Sequence, residues 1–586
     1  MTQEQIIAKL APHLRQFVQI QDYSAYTARD HSVWRFLMNQ LSFQLTDSAH
    51  PVYLEGLRRT GINQEYIPSI DEMNTCLSGI GWSALGVDGF IPPAVFMEFQ
   101  SLRILVIAMN MRTIDQLLYT PAPDILHESA GHASFLVDVD YAEFLQHFGE
   151  IGMKTLSSLE DEAVFEAIRH LSIVKENHRA TEQEILRAET RLKDATDKNK
   201  STSESALLAR LHWWTVEYGL VGSLNDYKIF GAGLLSSLGE SKNCLDDSVV
   251  TKKLLTPDAI NNSYDITREQ PQLYVTHSCR HLSQVLGDVA SGMAQVRGGA
   301  QSVRTAIDCR TVATMEYNSG IQISGVVTKL ITDAMDNISY VRTTGKTQLS
   351  FQGSQLTGHG IDFHSAGFGS PVGYVNEFSR CLSGYSIDEL RYAGIEINNA
   401  TKLEFVSGVI VDGDLISIER CNQKNILFSF KNCTVTDVNG GILFDPSWGQ
   451  YDMAVGTTIC SVFGGSADPS HYSLYKQPSE GSSSPSQTPW SDADKLVFNI
   501  YQNLRDLRES DKVDAASCTR LHSLIVEQSI EDWLLYLEFY ELAVQQNDQI
   551  TKLALSQLID LVSGDETIRK LVNQGIERIN NPIARE

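Results

Sequence analysis

Apolar and polar positions follow different rhythms in different parts of this chain. Up to about residue 300 the rhythm is helical. Ile6, Ile7, Leu10, Leu14, Phe17 and Val18 share one face of a 3.6-residue repeat, which predicts an amphipathic helix over residues 1 to about 20, docked on the body. A second helix opens at Tyr26 and helical text continues to Leu77, with His31 on a mixed face as a structural residue. Dense Gly and Pro punctuation over 81–93 predicts a loop or short strand, and a helix is predicted from Val95 to Asn110. Pro121 and Pro123 keep the next approach extended, so that Asp124 can cap a helix starting near Ile125. Residues 160–205 are charged and helix-prone, with Ile173, Val174, Ile185, Leu186 and Leu192 at helical intervals, and predict a solvated helical hairpin.

From about residue 310 the period becomes two, or the apolar runs turn continuous and short: Ile321–Ile323, Thr347–Phe351, Val409–Val411 and Ile426–Phe430, with Gly and Asp-Gly turns between them. His359 and His364 fall in a Gly-rich part of this text and read as turn residues. Residues 466–490, rich in Ser, Pro and Gly, predict a flexible linker. Beyond it Trp533, Leu534, Leu537 and Tyr540 predict a helical bundle. The expected organisation is a mainly α domain over 1–310 with a helical insertion at about 160–205, a β-rich domain over 311–465, a linker over 466–490 and a helical C-terminal domain over 491–586.

Composition narrows the partners more than the fold. At 586 residues a length prior gives about four domains. The 47 basic and 72 acidic side chains leave a net charge of −25, a poor surface for phosphate, so nucleic acid is not an expected partner. Nine cysteines without a C-x-x-C pair point to free thiols in a reducing cytoplasm. There is no charged-then-apolar signal pattern, and the run Ile104–Met109 is far too short to span a bilayer, so no membrane is expected.

Chemistry concentrates in two places. His127 and His132 lie five apart, looser than the i, i+4 pair of helical zinc sites, and their rings would have to bend inward to share an ion. On their own they read as two unrelated histidines at a helix start. Glu217 is the lone acid in the aromatic run His212–Leu220, and a buried carboxylate is costly unless paired or metal-bound. Alone it reads as a structural ion-pair member. Together, two imidazoles and one carboxylate are the donor set of non-haem ferrous oxygenases.

Three stretches in order, YTPAPDILHESAGH (119–132), WTVEYGL (214–220) and FGAGLLSSLGE (230–240), resemble the catalytic domain of the pterin-dependent aromatic amino acid hydroxylases, and most resemble the bacterial phenylalanine 4-monooxygenases. The resemblance covers about residues 20–300 and leaves the rest of the chain, and the long interval between His132 and Glu217, unexplained. It implies a mainly α catalytic domain in which His127, His132 and Glu217 hold Fe(II), with a tetrahydropterin and O₂ as the other reactants. It implies that Phe90 and Ile91 offer backbone groups to the pterin, that Phe96 stacks on it and that Glu128 is the pterin-side acid. It gives Arg112 to the substrate carboxylate, with Thr120, Pro123, Trp213 and Ser236 also at the substrate. For Phe96 the competing reading is a core position, for Arg112 an ordinary salt bridge, and for Glu128 an acid favoured by the helix dipole. Ala94 and His212 stand where relatives carry a charged residue and a tyrosine. Ile266 and Trp213 lean towards phenylalanine as substrate, against tyrosine, tryptophan or another aromatic metabolite. The implied function is ring hydroxylation of a free aromatic amino acid. A zinc hydrolase on the same residues and a non-catalytic amino acid or pterin sensor are the alternatives. His277 and His281, at i, i+4, read as helix surface. The C-terminal half and the insertion are the candidates for self-association or a protein partner.

Overall fold

The computed structural model describes the chain except for residues 88–89, 119–122, 177–179, 201, 266–267, 473–489, 511–512, 545, 547 and 581–586. Thr120, Ile266 and most of the predicted linker therefore lie outside the described residues.

The helical N-terminal half also contains two small sheets. The predicted N-terminal helix is two short ones, Gln3–Ile7 and Pro12–Arg15, followed by the strand Val18–Gln19. Pro12 cannot donate to a helix interior and starts the second helix instead. Ile6, Leu10 and Leu14 still bury together, against Leu85, Val87 and Phe99. The helical text from Tyr26 resolves into Ala28–Leu45, Val52–Arg59 and Ile70–Leu77. His31 in the first of these is buried, and its Nδ1 accepts the Ile67 N–H at 3.2 Å.

The helix predicted from Val95 to Asn110 is shorter. It spans Pro93–Ser101, Arg103 turns the chain at φ 57°, and Ile104–Ala108 is a fully buried strand parallel to Ser83–Val87. A five-residue apolar run rich in Ile and Val, covered on both faces, satisfies a parallel ladder as well as it would a helix. A second sheet is ordered Asp226–Ile229, Gly219–Ser223, Gln272–Thr276 and Thr251–Leu254. The predicted hairpin is present as Leu159–Glu176 and Glu182–Lys198. It is held antiparallel by Lys175 to Glu189 at 3.0 Å and by Asn199 Nδ2 donating to Asp161 at 2.9 Å.

Beyond the helix Gly299–Cys309, which packs its Val303 and Ala306 on the following sheet, the chain is antiparallel β. One sheet is built on the long strands Ile321–Thr332 and Ile338–Phe351, the other on Ile410–Cys421 and Lys424–Thr436. The segment 466–472, predicted as the start of a linker, is packed against the first sheet. Tyr472 donates to the Lys346 carbonyl at 2.7 Å, and Asp468 accepts from the Gln355 backbone at 2.9 Å. Its Ser and Pro content resembles a linker, but two part-buried side-chain hydrogen bonds anchor it.

Five helices between Asp492 and Asn580 complete the described chain. They dock on Ala28–Leu45. Phe36 meets Trp533 edge to face at 5.4 Å. The buried Arg35 binds Glu65, Glu538 and Glu541 at 2.6, 2.8 and 2.7 Å, and Arg508 also pairs with Glu538. A guanidinium removed from water needs such partners, which fixes how the helices seat.

Candidate metal centre

In an α-helix, at 3.6 residues per turn, positions five apart face about 140° away from each other. His127 and His132 nevertheless point the same way, because His127–His132 is a π-helical turn, in which hydrogen bonds close over five residues. The backbone widens, and the rings do not have to bend inward. Trp213–Glu217 is a second π turn, closed by the Tyr218 N–H donating to the Trp213 carbonyl at 2.9 Å. Each turn contains a hydroxyl that takes the carbonyl four residues back: Ser129 donates to Ile125, and Thr215 to Leu211 at 2.6 Å.

The two turns bring three donors together. His127 Nε2 and His132 Nε2 are 3.1 Å apart, and Glu217 places Oε2 at 3.3 Å from the first and Oε1 at 3.4 Å from the second. The side chains of His127 and Glu217 keep 15% exposure each against 5% for His132, so the group is approached from the His127–Glu217 side. Two nitrogens and a carboxylate at these separations fit one divalent ion with coordination positions left open.

The surroundings fix the donors. Ser236 Oγ donates to the Ala232 carbonyl at 2.8 Å and lies 2.9 Å from His127 Nδ1. With its own proton spent, the hydroxyl accepts from Nδ1–H, which leaves the Nε2 lone pair facing the centre. Asp124 caps the turn that carries His127 and His132 as predicted, accepting the His127 N–H at 3.0 Å. It also binds Arg112 in bidentate fashion, at 2.6 Å to Nε and 2.8 Å to a terminal nitrogen, in a pair 3% exposed on each side. A further Arg112 N–H donates to the Ser236 carbonyl at 3.3 Å. Close approach of the helix Ala232–Leu235 depends on Gly131, where a Cβ would come within 2.9 Å of the Ala232 oxygen.

Charge is divided sharply. Burial would raise the Glu217 carboxyl, but the His132 and His127 imidazoles outweigh it and hold the group well below the usual carboxylate range. Glu128, on the same turn and buried, is pushed up to about 8 by burial, with His132 opposing and Glu217 and Asp124 adding. Neighbouring carboxyls of opposite protonation at neutral pH are a common arrangement for acid–base work. His212, pushed down to about 4 by burial, sits 3.7 Å from Glu217 and packs against Phe96 and Phe148.

The predicted site residues separate into groups. His127, His132, Glu217, Ser236 and Arg112 form one connected network, with Glu128 adjoining it. Trp213, next to it in the second π turn, is stacked between Tyr264 at 4.3 Å and Tyr218 at 4.8 Å. Phe96 reaches the site through its edge contact with His212 at 6.0 Å. Phe90 and Ile91 are half-buried before the helix Pro93–Ser101, Ile91 lying with Phe96 against the N-terminal cluster, and Pro123 is exposed. The role of Asp124 as the partner of Arg112 was missed, since its capping position alone had explained it.

Comparison with known proteins gives these residues a context. The family model described as biopterin-dependent aromatic amino acid hydroxylase matches residues 1–175 and 196–297, the break falling inside the helical hairpin. The chain is 30% identical over 235 residues to the phenylalanine-4-hydroxylase of Ralstonia nicotianae, covering 40% of this chain and 60% of that one. It is 28% identical over 261 residues to that of Pseudomonas aeruginosa, covering 44% and 82% respectively. Against the crystal structure of Chromobacterium violaceum phenylalanine hydroxylase with bound iron(III) and 7,8-dihydrobiopterin the identity is 26%, with 47% of this chain and 85% of that chain covered and a TM-score of 0.38. The chain thus spans about three fifths of the length of the Ralstonia relative.

Proposed function

We propose, from the premise that residues 1–175 and 196–297 belong to the biopterin-dependent aromatic amino acid hydroxylase family, that this protein is a non-haem iron, tetrahydropterin-dependent monooxygenase acting on the ring of a free aromatic amino acid, with L-phenylalanine to L-tyrosine the favoured reaction. The observation that carries the reading is the convergence of His127, His132 and Glu217 from two π turns, with nitrogens and carboxylate oxygens 3.1 to 3.4 Å apart.

In this reading His127, His132 and Glu217 hold the ferrous ion. Fe(II) and the reduced pterin, when bound, supply the electrons that O₂ activation requires and that no side chain here provides. Ser236 fixes the His127 tautomer, and Asp124 fixes the turn. Among the described residues Arg112 uses three of its five N–H groups on Asp124 and the Ser236 carbonyl, and this reading gives the other two to the substrate carboxylate. Trp213, held by its two tyrosine neighbours, and Pro123 wall the aromatic pocket in this reading. Phe96, Phe90, Ile91 and the protonated Glu128 receive the pterin. Nine free cysteines, five of them buried, support a cytoplasmic location, and no helix among the described residues is long and apolar enough to cross a membrane. The division into a predominantly helical unit over 1–310, a β-rich unit over 311–465 and a helical unit over 491–586 belongs to the same proposal.

The test is incubation of the iron-loaded protein with tetrahydropterin, O₂ and, separately, phenylalanine, tyrosine and tryptophan, with product identification by mass spectrometry. Tyrosine formed from phenylalanine, lost in a His132→Ala, Glu217→Ala double variant, is the expected result. Binding of amino acid without oxygen consumption, or activity with zinc alone, would replace this reading by the sensor or the hydrolase.

A further inference from the structure

The β-rich region contains a second group with the same donor types. His359 Nδ1 and His364 Nε2 are 3.1 Å apart, and Asp452 Oδ2 lies 3.9 Å from the first and 4.0 Å from the second. We propose that His359, His364 and Asp452 form a second binding site for a divalent first-row metal ion of the zinc type, joining the two sheets of this region.

Geometry supports the assignment. Zinc binds imidazole nitrogen and carboxylate oxygen at about 2.0–2.2 Å, so tetrahedral donors sit about 3.3–3.6 Å apart. The nitrogen pair is already within a few tenths of an ångström of that, and Asp452 closes the rest by an inward movement of about 0.3–0.7 Å, within the reach of a side-chain rotation. The bland alternative, a metal-free hydrogen bond between the two imidazoles, accounts for the 3.1 Å separation but not for the acid. Asp452 is 4% exposed. Its Oδ1 accepts from Gln450 Nε2 at 2.9 Å, whereas its Oδ2 faces the two ring nitrogens from beyond hydrogen-bond reach. A largely buried carboxylate facing two imidazole nitrogens across this gap offers a cation three donors at once.

The far side of His359 agrees. Glu419 Oε2 lies 3.6 Å from His359 Nε2, which favours the tautomer protonated there and leaves the Nδ1 lone pair for an ion, the carboxylate–histidine–metal relation of many zinc sites. The scaffold is rigid as well. Backbone bonds from Leu349 to His359 (3.0 Å) and from Thr347 to His364 (3.1 Å) tie both histidines to the strand Ile338–Phe351. Asp452 comes from the strand Tyr451–Ala454, which pairs with Lys424–Thr436 of the other sheet. An ion here would cross-link the sheets and stabilise the region by an amount that grows with the logarithm of its affinity.

The experiment uses the full chain. Wild type, Glu217→Ala and Glu217→Ala, Asp452→Asn proteins are stripped with chelator, equilibrated with Zn²⁺, desalted and analysed by metal spectrometry and calorimetry. Two equivalents in wild type, one in Glu217→Ala and none in the double variant, with the last zinc weakened by more than about 100-fold, is the expected series. Asp452→Asn preserves the side-chain shape. As a check on unaltered ligands, Co²⁺ added to Glu217→Ala protein should give visible absorption bands of an imidazole–carboxylate site. Equal zinc content in the single and double variants, or no zinc and no cobalt bands in Glu217→Ala, would overturn the proposal.

Discussion

The pairs His127/His132 and His359/His364 share the same spacing in the chain and the same 3.1 Å between facing nitrogens, yet they are built differently. The first lies on a π turn, its rings nearly perpendicular at 87° with centroids 4.8 Å apart. The second lies on an irregular segment hydrogen-bonded along a strand, its rings nearly parallel at 19° and 5.3 Å apart. H-x₄-H therefore specifies neither a helix nor a metal. In both cases the acid that completes the group arrives from far along the chain. The difference lies in preparation. Glu217 stands at 3.3–3.4 Å from its imidazoles, behind which Ser236, Asp124 and Arg112 are already bonded. Asp452 stands at 3.9–4.0 Å, with Glu419 at 3.6 Å as the only described carboxylate behind His359. In the proposed reading the N-terminal group is set for chemistry on an ion's open positions, and the β-region group for closing around an ion.

The comparison is tested most strongly at Glu217. Glu217→Ala removes one of three ligands and leaves two facing imidazoles, so pterin-dependent turnover should fall by about 10³-fold or more, comparable to loss of a principal transition-state contact. Residual turnover within about tenfold of wild type would mean that the tighter geometry is not what supports the chemistry. Next in size is the buried pair behind the first site. Asp124→Asn leaves Arg112 charged and unpaired in a position 3% exposed, a loss of roughly 3–5 kcal/mol. Thermal unfolding should show it as a lowered midpoint, and a midpoint within a degree of wild type would show that the pair is solvated in solution.

These contrasts also mark how much could be read from the chain. The helix start at Asp124 was legible because an Asp after a proline-held approach has few other local uses, and the joint reading of His127, His132 and Glu217 rested on the motifs around them. The π turns were not legible. They coincide with the Ser129 and Thr215 hydroxyls bonded to the carbonyl four residues back and with a Gly131 that lets the Ala232 backbone approach, none of which periodicity reports. The strand Ile104–Ala108 was read as helix because a short apolar run fits both until its neighbours are known. His359 and His364 read as turn residues, but His364 forms an antiparallel bridge with Thr347 and His359 lies in irregular backbone, while Asp452 reaches them only through pairing of the second sheet, a non-local fact. Likewise 466–472 has a linker's composition, yet side-chain hydrogen bonds tie it to the first sheet.

Ser236→Ala probes preparation alone at the first site. The methyl group no longer accepts from His127 Nδ1, so the imidazole can adopt the tautomer whose proton points at the ion. Losses of this kind are about 10–100-fold in metal affinity or activity. The expected signature is a higher iron concentration for half-maximal turnover, with turnover at saturating iron recovering in part. Unchanged iron dependence would show that the Ser236 contact at 2.9 Å does not set the tautomer.

The smallest expected effect is at Glu419, and its size is what distinguishes the two sites. Glu419 is a third exposed and stands 3.6 Å from His359 Nε2, beyond a formed hydrogen bond and screened by water, so it biases the tautomer where Ser236 enforces it. Glu419→Gln should therefore weaken zinc binding in the Glu217→Ala background by no more than about tenfold, at the low end of what outer carboxylates contribute. Because the contribution is largely charge on a partly exposed group, raising the salt concentration should shrink the difference between Glu419 and Gln. A loss of 100-fold or more, insensitive to salt, would mean that Glu419 moves in to bond His359 directly or to ligate the ion. The β-region site would then be as fully prepared as the N-terminal one, and the contrast between a site set for chemistry and a site set for closure would fail.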